Sequence, residues 1–466
     1  MRETSLLPPM ITSSPTSVPR SPRKQNAYMT AMSLLECEFE PDGPEADQVR
    51  CLLEVCYHFC KAEAWAEVKQ VLLRPWEGAS DSSFADHLHW WSLDREKIEL
   101  YRTLLGKLDT WMDALCWQGL GRTHMVLREY EVSHEYLQKS LELFRAVGDN
   151  LKAAWVLFWL GHKAAYVTDA PAEAYLYYTE ALHEFRQLNN TRGIVSVLHN
   201  LGSMALYLGE YENARHYLEE SFALQHHVFK EYDIREYAWT HLGLGRFLCN
   251  QGEFREAQKY LRRGFQLFRR LHVENGQHWI LLDLAGLLIY RKKYVSAQIV
   301  LAHLPHNLYD LEAADETAAW VSYNLGRLAL ATQNAEQAKH YFQIMFKIHH
   351  KLKHGDIHVF AIEGLAYVAI AQHQPLHAAR LLGANEVLWE QLQTVMTPRH
   401  RAEYEGHLAT LRTLMDETSL AAAWVRGRTM SKEELIVVAI GESQTETNQA
   451  EAMPLWLLPE SCRFTD

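Results

Sequence analysis

No run of about 18 uninterrupted apolar residues, the length a membrane-spanning helix needs, occurs in this 466-residue chain. Glycine (23) and proline (14) are sparse for the length, as expected of an all-helical protein. Residues 1–28 contain prolines and serines but no apolar core of signal-peptide length, and the seven cysteines are odd in number and lack framework spacing. Together these absences predict a chain of a reducing compartment, with a cytoplasmic location. Positive charge is also short: 46 Lys and Arg against 58 Asp and Glu give a net charge of −12, which argues against direct nucleic-acid binding. Catalytic signatures are missing as well. No GxxxxGK[ST] phosphate loop is present, and Leu105-Gly106-Lys107-Leu108 lacks the first glycine and the magnesium-binding hydroxyl. No HExxH or GxSxG stands out, so the chain is read as non-enzymatic, with no catalytic residue and no cofactor.

What the chain has is a repeat. Gly202 sits inside an otherwise helical stretch, and twelve residues on, after the turn Leu208-Gly209-Glu210, Ala214 opens a second amphipathic run. A mid-helix glycine costs about 1 kcal/mol relative to alanine, so a close approach of a second helix is the expected reason for it. The same small-residue pair recurs as Gly245 with Ala257, Ala285 with Ala297, Gly326 with Ala338 and Ala366 with Ala378. Weaker copies are Gly121 with Ser133 and Gly161 with Ala174. The seven first members are spaced 40, 41, 43, 40, 41 and 40 residues apart. We call the helix carrying each of them helix A and the following one helix B. Gly121, Gly161, Gly202, Gly245 and Gly326 are the predicted helix-packing glycines.

A small residue in helix A, a GEY or GEF turn and an alanine early in helix B resemble the tetratricopeptide (TPR) repeat. The resemblance implies an all-α, right-handed superhelical solenoid of antiparallel helix pairs. The period of about 40 residues, against the usual 34 or so, is similar to the variant in bacterial signal-transduction ATPases of the maltose-regulator kind. Residues 378–440 add a second resemblance, to the closing segment of LuxR-type ATPases, through Ala378 to Ala384, Pro398, Arg401, Tyr404, Trp424, Gly427 and Glu433-Glu434. In such relatives the TPR array is a sensor or autoinhibitory arm.

The predicted organisation is a disordered leader (1–27), degenerate helical pairs (28–112), seven repeats (113–395), a helical cap (396–441) and a disordered acidic tail (442–466). By the TPR pattern, helix A positions six and three before the small residue, and one after it, line a concave groove. These positions hold Trp155, Phe158, Trp239, Arg246, Trp279, Trp320, Tyr323, Arg327 and Phe360, which we take as the candidate ligand groove. Tryptophan, tyrosine and arginine dominate binding hot spots. The competing reading is that the tryptophans pack between adjacent A helices, because an aromatic stripe at helical spacing is often core. The arginines are harder to place in a core, where a guanidinium needs a partner.

The expected function is a protein- or peptide-binding scaffold of a bacterial regulatory system, with a separate ATPase or DNA-binding regulator as a candidate partner and no membrane partner. The alternative is a detached regulatory part of a transcriptional activator that senses a small inducer. His350, His354 and His358 recur every four residues, but Gly355-Asp356 falls between them at an inter-repeat turn, so no metal site is read there. Cys56 and Cys60 share a helix face and are read as buried small hydrophobes.

Overall fold

The computed structural model describes residues 21–35, 45–75, 83–88, 93–166, 170–228, 234–304, 315–352, 358–392 and 395–440. Among them are five N-terminal helices: α1 (Pro22–Leu35), α2 (Glu45–Ala62), α3 (Trp65–Leu73), α4 (Phe84–His87) and α5 (Asp94–Leu104). The A and B helices follow as α6 (Thr110–Val126), α7 (Tyr130–Ala146), α8 (Asn150–Tyr166), α9 (Pro171–Gln187), α10 (Thr191–Tyr207), α11 (Tyr211–Val228), α12 (Ile234–Asn250) and α13 (Phe254–Arg270). They continue as α14 (Glu274–Tyr290), α15 (Tyr294–Leu301), α16 (Glu316–Ala331), α17 (Ala335–Leu352), α18 (His358–Ala371) and α19 (Pro375–Leu392). Three more close the described chain: α20 (Pro398–Leu414), α21 (Glu417–Arg428) and α22 (Lys432–Ile440). The fold is all-α and built of antiparallel helix pairs, with α6 on α7, α12 on α13, α14 on α15, α16 on α17 and α18 on α19.

Six of the A helices end the same way, for a local reason. The second residue after the helix takes a left-handed backbone, at Arg128, Gly209, Gly252, Lys292, Gln333 and His373. At the first of these turns Arg128 N–H donates to Met125 and Glu129 N–H to His124, satisfying carbonyls that the helix end leaves open. Only two of the six turns use glycine, although glycine suits that backbone best.

Two compact units divide the chain, one of residues 1–167 with 176–197 and the other of residues 168–175 with 198–466. In the first, Tyr28 packs edge-on against Phe59 at 5.4 Å, and Phe144 and Phe185 are fully buried. In the second the core is spread along the repeats. One cluster surrounds Leu218 and Phe247, another Leu261 and Phe268, and a third runs from Leu282 to Ala439. This is the linear core of a repeat array, in which each pair rests on its neighbours.

The N-terminal residues read as leader differ in part, since 22–27 form the start of α1 and its Tyr28 is buried. Residues 1–20 and 441–466, with most of the expected leader and tail, lie outside the described residues. The segment read as one cap divides. α21 packs on α19, α22 lies against α17 with Gln343 Nε2 donating to the Ala439 carbonyl at 3.3 Å, and α20 lies against α12, α18 and α19.

The packing glycines are close approaches. A Cβ built at Gly202 would stand 2.6 Å from Leu218 Cγ, and at Gly245 it would stand 2.6 Å from Leu261 Cδ2. Gly121, Gly161 and Gly326 face Leu137, Tyr178 and Phe342 in the same way. From Ala285 and Ala366 at equivalent positions, the sequence leads one to expect Gly202→Ala to be mild. The contact with Leu218 shows that alanine fits only if that side chain shifts. The tightest approach is between α19 and α21, where a Cβ at Gly427 would meet the Arg380 carbonyl oxygen and one at Gly383 the Trp424 carbonyl. Backbone cannot move aside as a leucine tip can. Gly202→Leu and Gly427→Ala should therefore each lower stability in urea titrations by about 1–3 kcal/mol. Gly406→Ala, in α20 with open space around it, should instead be neutral or stabilising by up to about 1 kcal/mol.

Candidate functional site

The site is built in the second unit, on the face shared by the A helices α12, α14, α16 and α18. Their aromatic residues are half-buried, one side against the core. Trp239 meets Phe268 edge-on at 4.8 Å, and Trp320 lies 5.5 Å from Tyr323 and 5.3 Å from Phe360. Trp279 is covered by Arg246, whose guanidinium carbon is 5.2 Å above the ring. In the first unit, Trp155 packs on Phe185 at 4.9 Å and on Phe158 at 5.6 Å, and Phe158 is buried. The structure therefore gathers Trp320, Tyr323, Arg327 and Phe360 into one cluster and leaves Trp239, Arg246 and Trp279 as a neighbouring group.

Both candidate arginines hold carboxylates of the chain itself. Arg246 Nε donates to Asp283 Oδ2 at 2.6 Å, tying α12 to the next helix A. Arg327 Nη2 donates to Glu403 Oε2 at 2.7 Å, and Glu403 lies on α20. The segment opening at Val395, which leads into α20, runs over the A-helix face. Val395 N–H donates to the Tyr207 carbonyl at the end of α10 at 3.2 Å, and Arg399 stands over the Tyr290 ring of α14 at 5.9 Å. Further along, α20 meets α18: His400 Nε2 hydrogen-bonds Glu363 Oε1 at 2.7 Å, and the His407 ring stacks on Tyr367 at 3.7 Å.

Local sequence explains why this helix forms and which face it turns inward. Thr397 caps it, accepting from His400 N–H, and Pro398 occupies the first turn, where its missing N–H costs nothing. His400, Glu403, Tyr404, His407 and Leu411 fall at three- and four-residue spacing and are shielded, whereas Arg401, Glu405 and Arg412 are exposed. Glu363 and Tyr367 sit at groove register positions on α18, and Tyr367 Oη donates to Glu363 Oε1 at 2.6 Å. The polar face of α20 was not read from the sequence, although its amphipathic spacing carries the signal. Groups of three or more potential metal ligands are absent among the described residues, which do not include His354.

Electrostatics fix the charge states. Burial pushes the Glu403 carboxyl up, but Arg327, with Arg399 and His400 behind it, holds it below the usual glutamate range. Arg327 is raised further above its ordinary value against the cost of burial, chiefly by Glu403. Burial lowers His407 despite the nearby Glu403 and Glu363, with Arg327 adding to the effect, so it is held neutral. A cleft of about 350 Å³ remains between α20 and the A helices, walled by Tyr323, Phe342, Phe360 and Tyr367 and reaching Arg327 and Glu363.

Residues 194–231 and 242–278 match the tetratricopeptide repeat family, so the chain carries tetratricopeptide repeats. No curated protein matches it. Among solved structures, the chain is similar to the apo quorum sensor NprR from B. thuringiensis, at 12% identity over 74% of this chain and 100% of that one, with a TM-score of 0.49. It is also similar to a Rap protein complexed with Competence and Sporulation Factor, at 15% identity over 81% and 99% of the two chains, with a TM-score of 0.45. A third is a signal-transduction ATPase with numerous domains and a TPR sensor from Pyrococcus horikoshii, at 13% identity over 75% and 53%, with a TM-score of 0.42. Likenesses of this strength do not bear on function. Among the described residues, no helix is long and apolar enough to cross a membrane.

Acid should loosen α20. The folded-state pKa of His407 lies below the ordinary 6.5, so its contribution is complete above about pH 6.5 and is lost as the pH falls through the lowered value. For Glu403 the folded value lies below the ordinary 4.5, so its contribution is complete above about pH 4.5 and is lost on further acidification. Hydrogen-exchange protection factors of α20 amides should be flat above neutrality, fall below pH 6.5 or so, and fall again in stronger acid. Protection independent of pH throughout this range would contradict the assignment.

Proposed function

We propose that the chain is a non-catalytic binding scaffold whose A-helix face, from α12 to α18, receives an amphipathic helix of a partner protein. The observation that carries this reading is the ion pair of Arg327 with Glu403. It supports a face suited to a helix that brings a carboxylate for the guanidinium, flanked by rings at the His400 and His407 positions. An acidic protein needs such local cations to attract a carboxylate at all. Arginine holds one by charge-assisted hydrogen bonds in fixed geometry. α20 occupies the face in the resting chain, and a partner helix replaces it. The regulatory setting, with a separate ATPase or DNA-binding chain as partner, rests on the resemblances of the repeat period and of residues 378–440.

The test uses the full chain with its own helix loosened by Glu403→Gln and His407→Ala, and a fluorescent peptide of residues 398–414 as the partner probe. Saturable binding by anisotropy is expected, weaker by at least about tenfold, or about 1.4 kcal/mol, when the peptide carries Glu403→Lys. The unmodified chain should bind the peptide far less, because its face is filled. Binding that ignores the peptide's charge reversal would mean the face is not selective for a carboxylate. Absence of binding to the loosened chain would make α20 a permanent structural element.

A further inference from the structure

We infer that the cleft under α20 binds a small zwitterion of the amino-acid class. Two unpaired polar atoms, buried on residues that line the cleft, carry the argument. Glu363 Oε1 is engaged by Tyr367 and His400, but Glu363 Oε2 is buried and makes no hydrogen bond among the described residues. Arg327 Nη2 is engaged by Glu403, but Arg327 Nε is likewise buried without a hydrogen-bond partner. These side chains are 3% and 10% exposed, so bulk water does not serve them. Buried polar atoms are nearly always paired, and two unpaired ones beside one cleft mark where a ligand would complete them.

Their chemistry specifies the ligand. A carboxylate oxygen accepts only, so the ligand must bring an N–H donor, best a protonated amine. The arginine Nε–H donates only, so the ligand must also bring an acceptor, best a carboxylate. A plain amine would leave Arg327 Nε unserved. A plain acid would leave Glu363 Oε2 unserved, although Arg327 and Lys292 balance the carboxylates of Glu363 and Glu403 along the cleft. A zwitterion meets both needs and leaves the net charge of the site unchanged. The walls of Tyr323, Phe342, Phe360 and Tyr367 suit an apolar side chain and an ammonium against ring faces. A volume of about 350 Å³ is at the small end of ligand pockets, room for one amino acid. Since Glu403 and His407 are part of the wall, a bound zwitterion would also fasten α20 in place.

The site stands independently of the partner-helix reading, and its test does not use the peptide. Phenylalanine, tyrosine and leucine are titrated calorimetrically into the unmodified full chain, with phenethylamine and 3-phenylpropionate as probes lacking one charge each. At least one amino acid should bind and raise the protection of α20 amides, and each one-charge probe should bind about tenfold or more weakly than phenylalanine. Glu363→Gln should erase the preference for phenylalanine over 3-phenylpropionate. Ala331→Leu narrows the cleft without touching its polar groups, and should abolish binding while the melting temperature holds. It serves as the readout should Glu363→Gln fail to fold. Lack of binding by all three amino acids, or binding unchanged in Ala331→Leu, overturns the inference.

Discussion

A buried guanidinium must be paired, and the pairing of Arg327 decides where residues 395–414 go. Removing Glu403 would leave an uncompensated charge against Tyr323 and the α16–α18 seam, a loss that commonly exceeds anything a surface ion pair gains. The rest of the seat follows from that constraint. With Glu403 fixed on Arg327, helical spacing sets His400 against Glu363 and Phe360 on one side and His407 over Tyr367 on the other. The closing segment is thereby drawn onto the A-helix face, while α21 and α22 stay at the end of the array.

Arg246 and Arg327 occupy the same register position, one after the small residue, yet bind differently. Arg246 finds Asp283 on the next helix A and so serves repeat-to-repeat cohesion. Three before Ala366, where α18 faces Arg327, stands Glu363, but its bonded oxygen is committed to Tyr367 and His400. Arg327 instead pairs outward from the array, with Glu403 of α20. One arginine closes the seam between repeats and the other recruits a helix from beyond them. A scaffold whose stability is the sum of neighbouring pairs can use identical positions in these two ways.

Much of this was legible in the sequence because it is periodic. The small residues at intervals of about 40 residues mark helices A and B, and the contacts of Gly202 and Gly245 with helix B account for glycines that helix propensity disfavours. The turns were less legible. Gly209 and Gly252 announce themselves, but Lys292, Gln333 and His373 adopt the same left-handed backbone without the residue that signals it. The groove was legible as a list of positions and not as an occupied surface. Nothing local to Arg327 says that its partner lies 76 residues on, since such a pairing is made by tertiary packing. The inward stripe of His400, Glu403, His407 and Leu411 is periodic, but its polar members disguise it as a solvated face.

On the proposed reading, self-occupancy sets what a partner would have to do. α20 begins only a few residues after α19 ends, so it competes from a short tether, at an effective concentration of about millimolar. A free helix with the same contacts, present at about micromolar concentration, would hold the face in only about one molecule in a thousand. On the proposed reading, a partner helix would have to bind more tightly than α20, by about 4 kcal/mol for parity at that concentration. The half-buried Trp239 and Trp279 rings offer extra contact toward that difference, as they stand on the A-helix face beyond the Trp320 cluster. A bound small molecule beneath α20 would raise the requirement further, and acid would lower it. On the proposed reading the resting face is closed to weakly binding helices by geometry, and a response would be set by the margin between one tethered helix and its competitor.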